Sequence, residues 1–89
     1  MRAVITVIGK DMVGILANVS AECAASNINV LEVTQSILQD MFAMIMMVDI
    51  SSASVPFDQF ADKLEKIGRE MNLSIHTMHE DIFNAMHTI

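Results

Sequence analysis

Tryptophan and tyrosine are absent from this sequence, and phenylalanine appears only four times. The core must therefore be aliphatic, with the nine methionines filling irregular gaps, as flexible thioethers do. The shortage of aromatics also argues against an RNA-binding sheet, which stacks bases on exposed rings; Phe42 is the one ring on a predicted strand. Basic residues are scarce as well: five lysines and arginines face eleven carboxylates, for a net charge of −6. Nucleic acid, which calls for clustered Lys and Arg, is not an expected partner. The single cysteine, Cys23, excludes an intramolecular disulfide and a Cys-rich metal site, and it fits a reducing cytoplasm. Long hydrophobic runs are missing too. The longest, Met41 to Val48, falls far below the roughly 20 residues of a membrane helix. The apolar stretch after Arg2 stops at Ile8, before Lys10 and Asp11, too short for a secretory signal. A soluble, cytoplasmic product is expected.

What is present is apolar surface in excess. Hydrophobic residues make up 53% of 89 positions. A domain of this size buries only about 60–65% of its unfolded surface, so part of the remainder is expected in a subunit contact. Arg2 to Ile8 is β-branched and apolar on both faces, the pattern of an interior strand. Ile15, Leu16, Val19 and Cys23 then recur at helical spacing among alanines, and Ser26–Asn27 closes the helix, since asparagine tolerates the left-handed conformation found at helix ends. Ile28 to Leu38 predicts a second strand with one wetter face. Gln39–Asp40 predicts a tight connection. Met41 to Ile50 predicts a third strand, apolar on both faces.

After the loop Ser51–Ser54, Pro56 marks a helix start. Phe57, Phe60, Ala61, Leu64, Ile67 and Met71 form its buried stripe. Asp62–Lys66 and Glu65–Arg69, at i,i+4, are expected to make a solvated charged face. Leu73 to His79 is mixed in polarity and reads as an edge strand. The expected fold class is α+β: a ferredoxin-like βαββαβ domain over residues 1–79, with a four-stranded antiparallel sheet in the order 4-1-3-2 and two helices on one face. Ile82, Phe83, Met86 and Ile89 share one face of a short C-terminal helix within a tail, 80–89. So short a helix needs a surface to dock on, either the helix-free face of the sheet or a neighbouring subunit.

The functional candidate is the turn Gly9–Lys10–Asp11–Met12–Val13–Gly14–Ile15–Leu16–Ala17. Two glycines let the backbone bend and a partner approach. Asp11 stands where an N-cap is expected. The free N–H groups of the first helical turn, with the positive end of the helix dipole, suit a small carboxylate.

This turn, the segment Asn27–Ile28–Asn29–Val30, the tail Glu80–Asp81–Ile82–Phe83–Asn84–Ala85–Met86–His87 and the order of elements together resemble the ACT domain, a regulatory module that binds amino acids. More narrowly, the chain is similar to the small stand-alone ACT proteins of bacteria and archaea, and to the ACT domains of the glycine cleavage system transcriptional repressor. The resemblance implies a homodimer or higher homo-oligomer, paired through its sheets, with ligand where the turn of one subunit meets its neighbour. It maps the ligand contacts onto Asp11, Met12, Val13, Gly14, Ile15 and Asn29. Two departures stand out. A proline common before the second glycine is Val13 here. The histidine of serine-binding members falls at Gly9, which puts a serine-type site in doubt.

The implied function is non-enzymatic: a regulatory domain that binds an amino acid or similar small carboxylate and signals to a partner protein, with no cofactor. Backbone N–H groups of Val13 to Ile15 would hold the α-carboxylate, Asp11 the ammonium, and Asn29 would bridge. The alternatives are a ligand-free dimerisation module and, less favoured, a small ferredoxin-like enzyme. An acylphosphatase needs an arginine in a glycine-rich anion loop, and the arginines here are Arg2 and Arg69. A metal chaperone needs a Cys-x-x-Cys. His76 and His79, three apart on a strand, point to opposite faces and do not chelate together, although His87 could join one of them from the tail. Cys23 lies on an apolar stripe and reads as a buried, inert thiol.

Overall fold

The computed structural model describes residues 1–10 and 14–86 of the chain. Seven elements follow in order: β1 (Arg2–Gly9), α1 (Ile15–Ala25), β2 (Asn29–Leu38), β3 (Met41–Asp49), α2 (Phe57–Glu70), β4 (Ser74–His79) and α3 (Glu80–Met86). The strands form one antiparallel sheet in the order β2-β3-β1-β4, the expected ferredoxin-like order read from its other edge.

The two-sided apolar strands occupy the centre. On the helix face, Ala3, Ile5 and Val7 of β1 oppose Val48, Met46 and Met44 of β3, and all six are buried. Val19 and Cys23 of α1, with Phe60 and Leu64 of α2, close over them. Each such valine, isoleucine, leucine, methionine or phenylalanine side chain contributes about 1.5–3 kcal/mol relative to an exposed one, which is why the central pair anchors the fold. On the opposite face Val4 is also fully buried, between Met47 and Met78. The tail helix α3 lies against β1 and β4 there. Arg2 ties down its first residue, donating from Nε and Nη2 to the two carboxylate oxygens of Glu80 at 2.7 and 2.5 Å, a bidentate fork.

Both long helices end the same way. Asn27 and Asn72 adopt left-handed backbone angles, φ 56° and 59°. Ile28 N–H then donates to Cys23 O at 2.8 Å, and Leu73 N–H to Gly68 O at 2.7 Å. These are Schellman closures, in which the residue after the left-handed one turns its apolar side chain inward. Ile28 and Leu73 are accordingly buried.

The start of α1 differs from expectation. Its N-cap is Gly14, left-handed at φ 78° with no side-chain cap, so the capping role assigned to Asp11 falls to Gly14. The charged face of α2 is solvated as expected, with Asp62, Glu65, Lys66 and Arg69 all exposed. Among the described residues no ion pair joins Asp62 to Lys66 or Glu65 to Arg69; Lys63 instead reaches Glu22 of α1 at 3.9 Å. Such exposed i,i+4 pairs gain only about 0.3–0.5 kcal/mol, too little to hold two long side chains in one place.

Leu73 gives the fold its tightest test. A Cβ at Gly9 would collide with Leu73 Cδ2, and one at Gly68 would meet Leu73 O at 2.8 Å and Ile75 Cγ1 at 2.9 Å. Gly9→Ala and Gly68→Ala should each lower the unfolding free energy by about 1–3 kcal/mol in urea titrations. Adding Leu73→Ala should relieve the Gly9 substitution, whose obstacle is a side chain. It should not relieve Gly68→Ala, whose obstacle includes backbone.

Candidate functional site

The sheet register fixes where the candidate residues lie. Gly9 opposes Phe42, and Phe42 opposes Ile37, so this cross-strand row marks the turn end of the sheet. Arg2 opposes Asp49, and Asp49 opposes Asn29, which marks the other end. The two rows stand seven strand residues apart, about 23 Å. Within one subunit, Asn29 and the turn therefore cannot touch the same small molecule.

At the turn end, Gly14 and Ile15 begin α1. Gly14 is exposed, and a Cβ there would meet nothing within 4 Å, so its backbone stands open to approach. Ile15 is buried and offers only its backbone. The first helical hydrogen bond runs from Asn18 N–H to Gly14 O at 3.0 Å, which leaves the N–H groups of the preceding turn unused by the helix. Asp11, Met12 and Val13 lie outside the described residues. Beside the turn is a cavity of about 520 Å³ lined by Ile8, Gly9, Lys10, Met41, Met71, Asn72 and Ser74. Lys10 pairs with Asp40 of the β2–β3 hairpin at 3.8 Å.

At the far end, the loop after β3 is stitched to the end of α1. Asn27 Nδ2 donates to Ser52 O at 2.8 Å, and Ser54 N–H donates to Ser26 O at 2.8 Å. Asn27 is thus committed to structure. Asn29, two residues on, is exposed, and its side chain makes no hydrogen bond among the described residues. It opens onto a cavity of about 320 Å³ with Ala24, Asn27, Ile28 and Ser52.

The strand that links the two ends is unguarded. β2 is an edge strand of ten residues whose one charged side chain is Glu32. The expected drier face is not covered: Val33 is 37% exposed and Ile37 71%, although both stand on the helix side. Leu31, the extra residue of a bulge between Val30 and Glu32, is 47% exposed. Edge strands that end in solvent usually carry lysine or proline, or are short; this one is long and bare, with exposed apolar side chains among its polar ones. The other edge, β4, has six residues and is packed by α2 and α3. The sequence reading missed the exposed Leu16, Ile37 and Leu31. Their apolar character was visible, but their exposure depends on how far α1 reaches across β2.

A larger cavity of about 650 Å³ lies beside α3, with Ile8, Ile45, Met78, Phe83 and Met86 among its walls. Ile45 remains 41% exposed there, so α3 covers only part of the helix-free face. His76 pairs with Thr6 on that face, whereas His79 stands on the helix face and stacks on Phe57 at 4.2 Å, so the two imidazoles do diverge. His87 lies outside the described residues. Among the described residues no group of three His, Cys, Asp or Glu side chains could hold a metal ion, and no helix is long and apolar enough to cross a membrane.

Comparison with known proteins places this geometry among relatives. The family model described as ACT domain matches residues 2–80. A UPF0237 protein of Listeria innocua is 49% identical over the full length of both chains. A UPF0237 protein of Methanocaldococcus jannaschii is 47% identical over 99% of this chain and 98% of its own. Among solved structures, an ACT domain protein from Streptococcus pneumoniae superposes with a TM-score of 0.79 at 31% identity, covering 100% of this chain and 97% of that one.

Cys23 is buried on α1, and desolvation, with the neighbouring Glu22 charge second, pushes its thiol up to about 11. At neutral pH the thiolate fraction is then of order one in ten thousand. Iodoacetamide should label the native chain far more slowly than the urea-unfolded chain, as read by mass spectrometry over a time course.

Proposed function

Given that this chain belongs to the ACT domain family, we propose that it is a non-enzymatic regulatory domain whose homodimer binds an amino acid at the subunit junction. Two copies pair β2 against β2, antiparallel about a two-fold axis, and extend the sheet across it. Such a pairing brings the Asn29 end of one copy to the Ile37 and Gly14 end of the other. The observation that carries this reading is the separation of Asn29 from the turn within one subunit, together with the bare strand that lets a two-fold reunite them. Each junction then has Asp11, Met12, Val13, Gly14 and Ile15 from one copy and Asn29 from the other.

The chemistry suits a zwitterion. Backbone N–H groups from Val13 to Ile15 meet the α-carboxylate at the positive end of α1. The carboxylate of Asp11 takes the ammonium. Asn29 of the facing copy donates and accepts with its amide. Because the ligand touches both copies, it stabilises the paired state by mass action and favours whichever arrangement of the pair binds it better. The output passes to a partner protein that distinguishes liganded from empty dimer.

Sedimentation and calorimetry test this together. The wild-type chain should sediment as a dimer and bind at least one of the twenty amino acids with micromolar to millimolar affinity. Asn29→Ala should keep the dimer and weaken binding by roughly 10-fold, the loss of about one charge-assisted hydrogen bond. Val33→Lys, which places a charge on the bare edge, should give a folded monomer without binding. A monomer that binds as well as wild type would overturn the split site. A dimer that binds none of the twenty would leave a dimerisation module in its place.

A further inference from the structure

We infer that the outer edge of β4 accepts an extended peptide of a partner protein, one in which basic and apolar residues alternate. The site lies at the opposite edge of the sheet from β2, so it stands or falls apart from the two-fold junction. Three observations carry it. First, the backbone of β4 is open on its outer side. Thr6 Oγ1 donates to His76 O at 3.5 Å, which fixes the main chain of His76 toward β1. Successive residues of an antiparallel strand turn their N–H and C=O groups to opposite sides, so those of Ile75 and Thr77 point away from the sheet. They have no hydrogen-bond partner among the described residues. An added strand pairs with such groups.

Second, the edge has space beside it. The cavity of about 650 Å³ continues around β4, from Phe83 and Met86 of α3 past Thr77 to Asp62 and Glu65 of α2. A strand laid there needs a spacing of about 4.8 Å from β4. The two helices flank the edge on either face, which bars a second sheet carrying its own helices and admits a single chain.

Third, the two sides of this groove differ in chemistry, and the side chains of a strand alternate between sides. On the helix face stand the carboxylates of Asp62 and Glu65, exposed and in no ion pair among the described residues. Lys66 and Arg69 of the same helix do not line the cavity. The hydroxyl of Thr77, on that face opposite Ile5, is buried without a hydrogen-bond partner. A lysine or arginine opposite Thr77 donates to the hydroxyl and meets the carboxylates. On the helix-free face stand Met78, Phe83 and Met86, which cover the apolar residues between. A second copy of this chain is a poor occupant: its net charge is −6, and its bare strand β2 has neither lysine nor arginine.

Fluorescence anisotropy with the intact chain and capped, labelled peptides tests this. A hexapeptide alternating lysine and valine, matched to the six residues of β4, should bind at sub-millimolar concentration. The same residues in block order, three lysines then three valines, carry equal charge and should bind roughly 10-fold more weakly. N-methylation of the lysines, whose N–H groups face β4 in an antiparallel pairing, should abolish binding, and N-methylation of the valines should spare it. Asp62→Lys with Glu65→Lys, both at exposed positions, should weaken the lysine peptide by roughly 10-fold or more and admit its glutamate counterpart. Thr77→Val, which keeps the shape, should weaken it several-fold with the fold intact by circular dichroism. Val33→Lys, at the other edge, should bind the peptide as wild type does whatever becomes of the dimer. No binding of the alternating peptide would overturn the edge site. Equal binding of the block and lysine-methylated peptides would overturn it too, leaving attraction between net charges in its place.

Discussion

The antiparallel register of three strands is the constraint from which the rest follows. By pairing Gly9 with Phe42 and Arg2 with Asp49, it sends the α1 turn and Asn29 to opposite ends of the sheet. No loop motion within one subunit recovers a distance of about 23 Å across a packed core. A site that uses both ends has to be made from two chains. The composition points the same way, since a domain this small cannot hide so large an apolar fraction and leaves part of it along β2.

Leu73 connects the fold to the site. It ends α2, packs against the glycine that ends β1, and fills the seat that a larger residue would take at the turn. The same contact therefore serves stability and shapes what the turn presents. Asn72 before it, with its left-handed backbone, is part of the same device, because without that reversal Leu73 would point away from Gly9.

The element order, strand bounds and sheet order were legible in the sequence because they depend on periodicity, which is local. Asn27 as a helix stop was legible for the same reason. The N-cap was not: Asp11 has the right chemistry, but Gly14 supplies a left-handed start, and nothing in the residue types ranks one above the other. Asn72 carried the same signal as Asn27 and was passed over. Gly9 reads as a turn residue, yet its requirement comes from Leu73, 64 positions later. The candidate site was legible as a set of residues and not as a geometry, because the distance from Asn29 to the turn follows from pairing register, which composition does not encode.

The two edges of the sheet are unequal: β2 is long and bare, while β4 is short and flanked by α2 and by α3, which Arg2 holds in place through Glu80. A ribbon with one sticky side lengthens once and then has only shielded sides to offer. In the proposed pairing through β2, the assembly would therefore stop at two copies, and the exposed apolar side chains of that strand would not seed fibres.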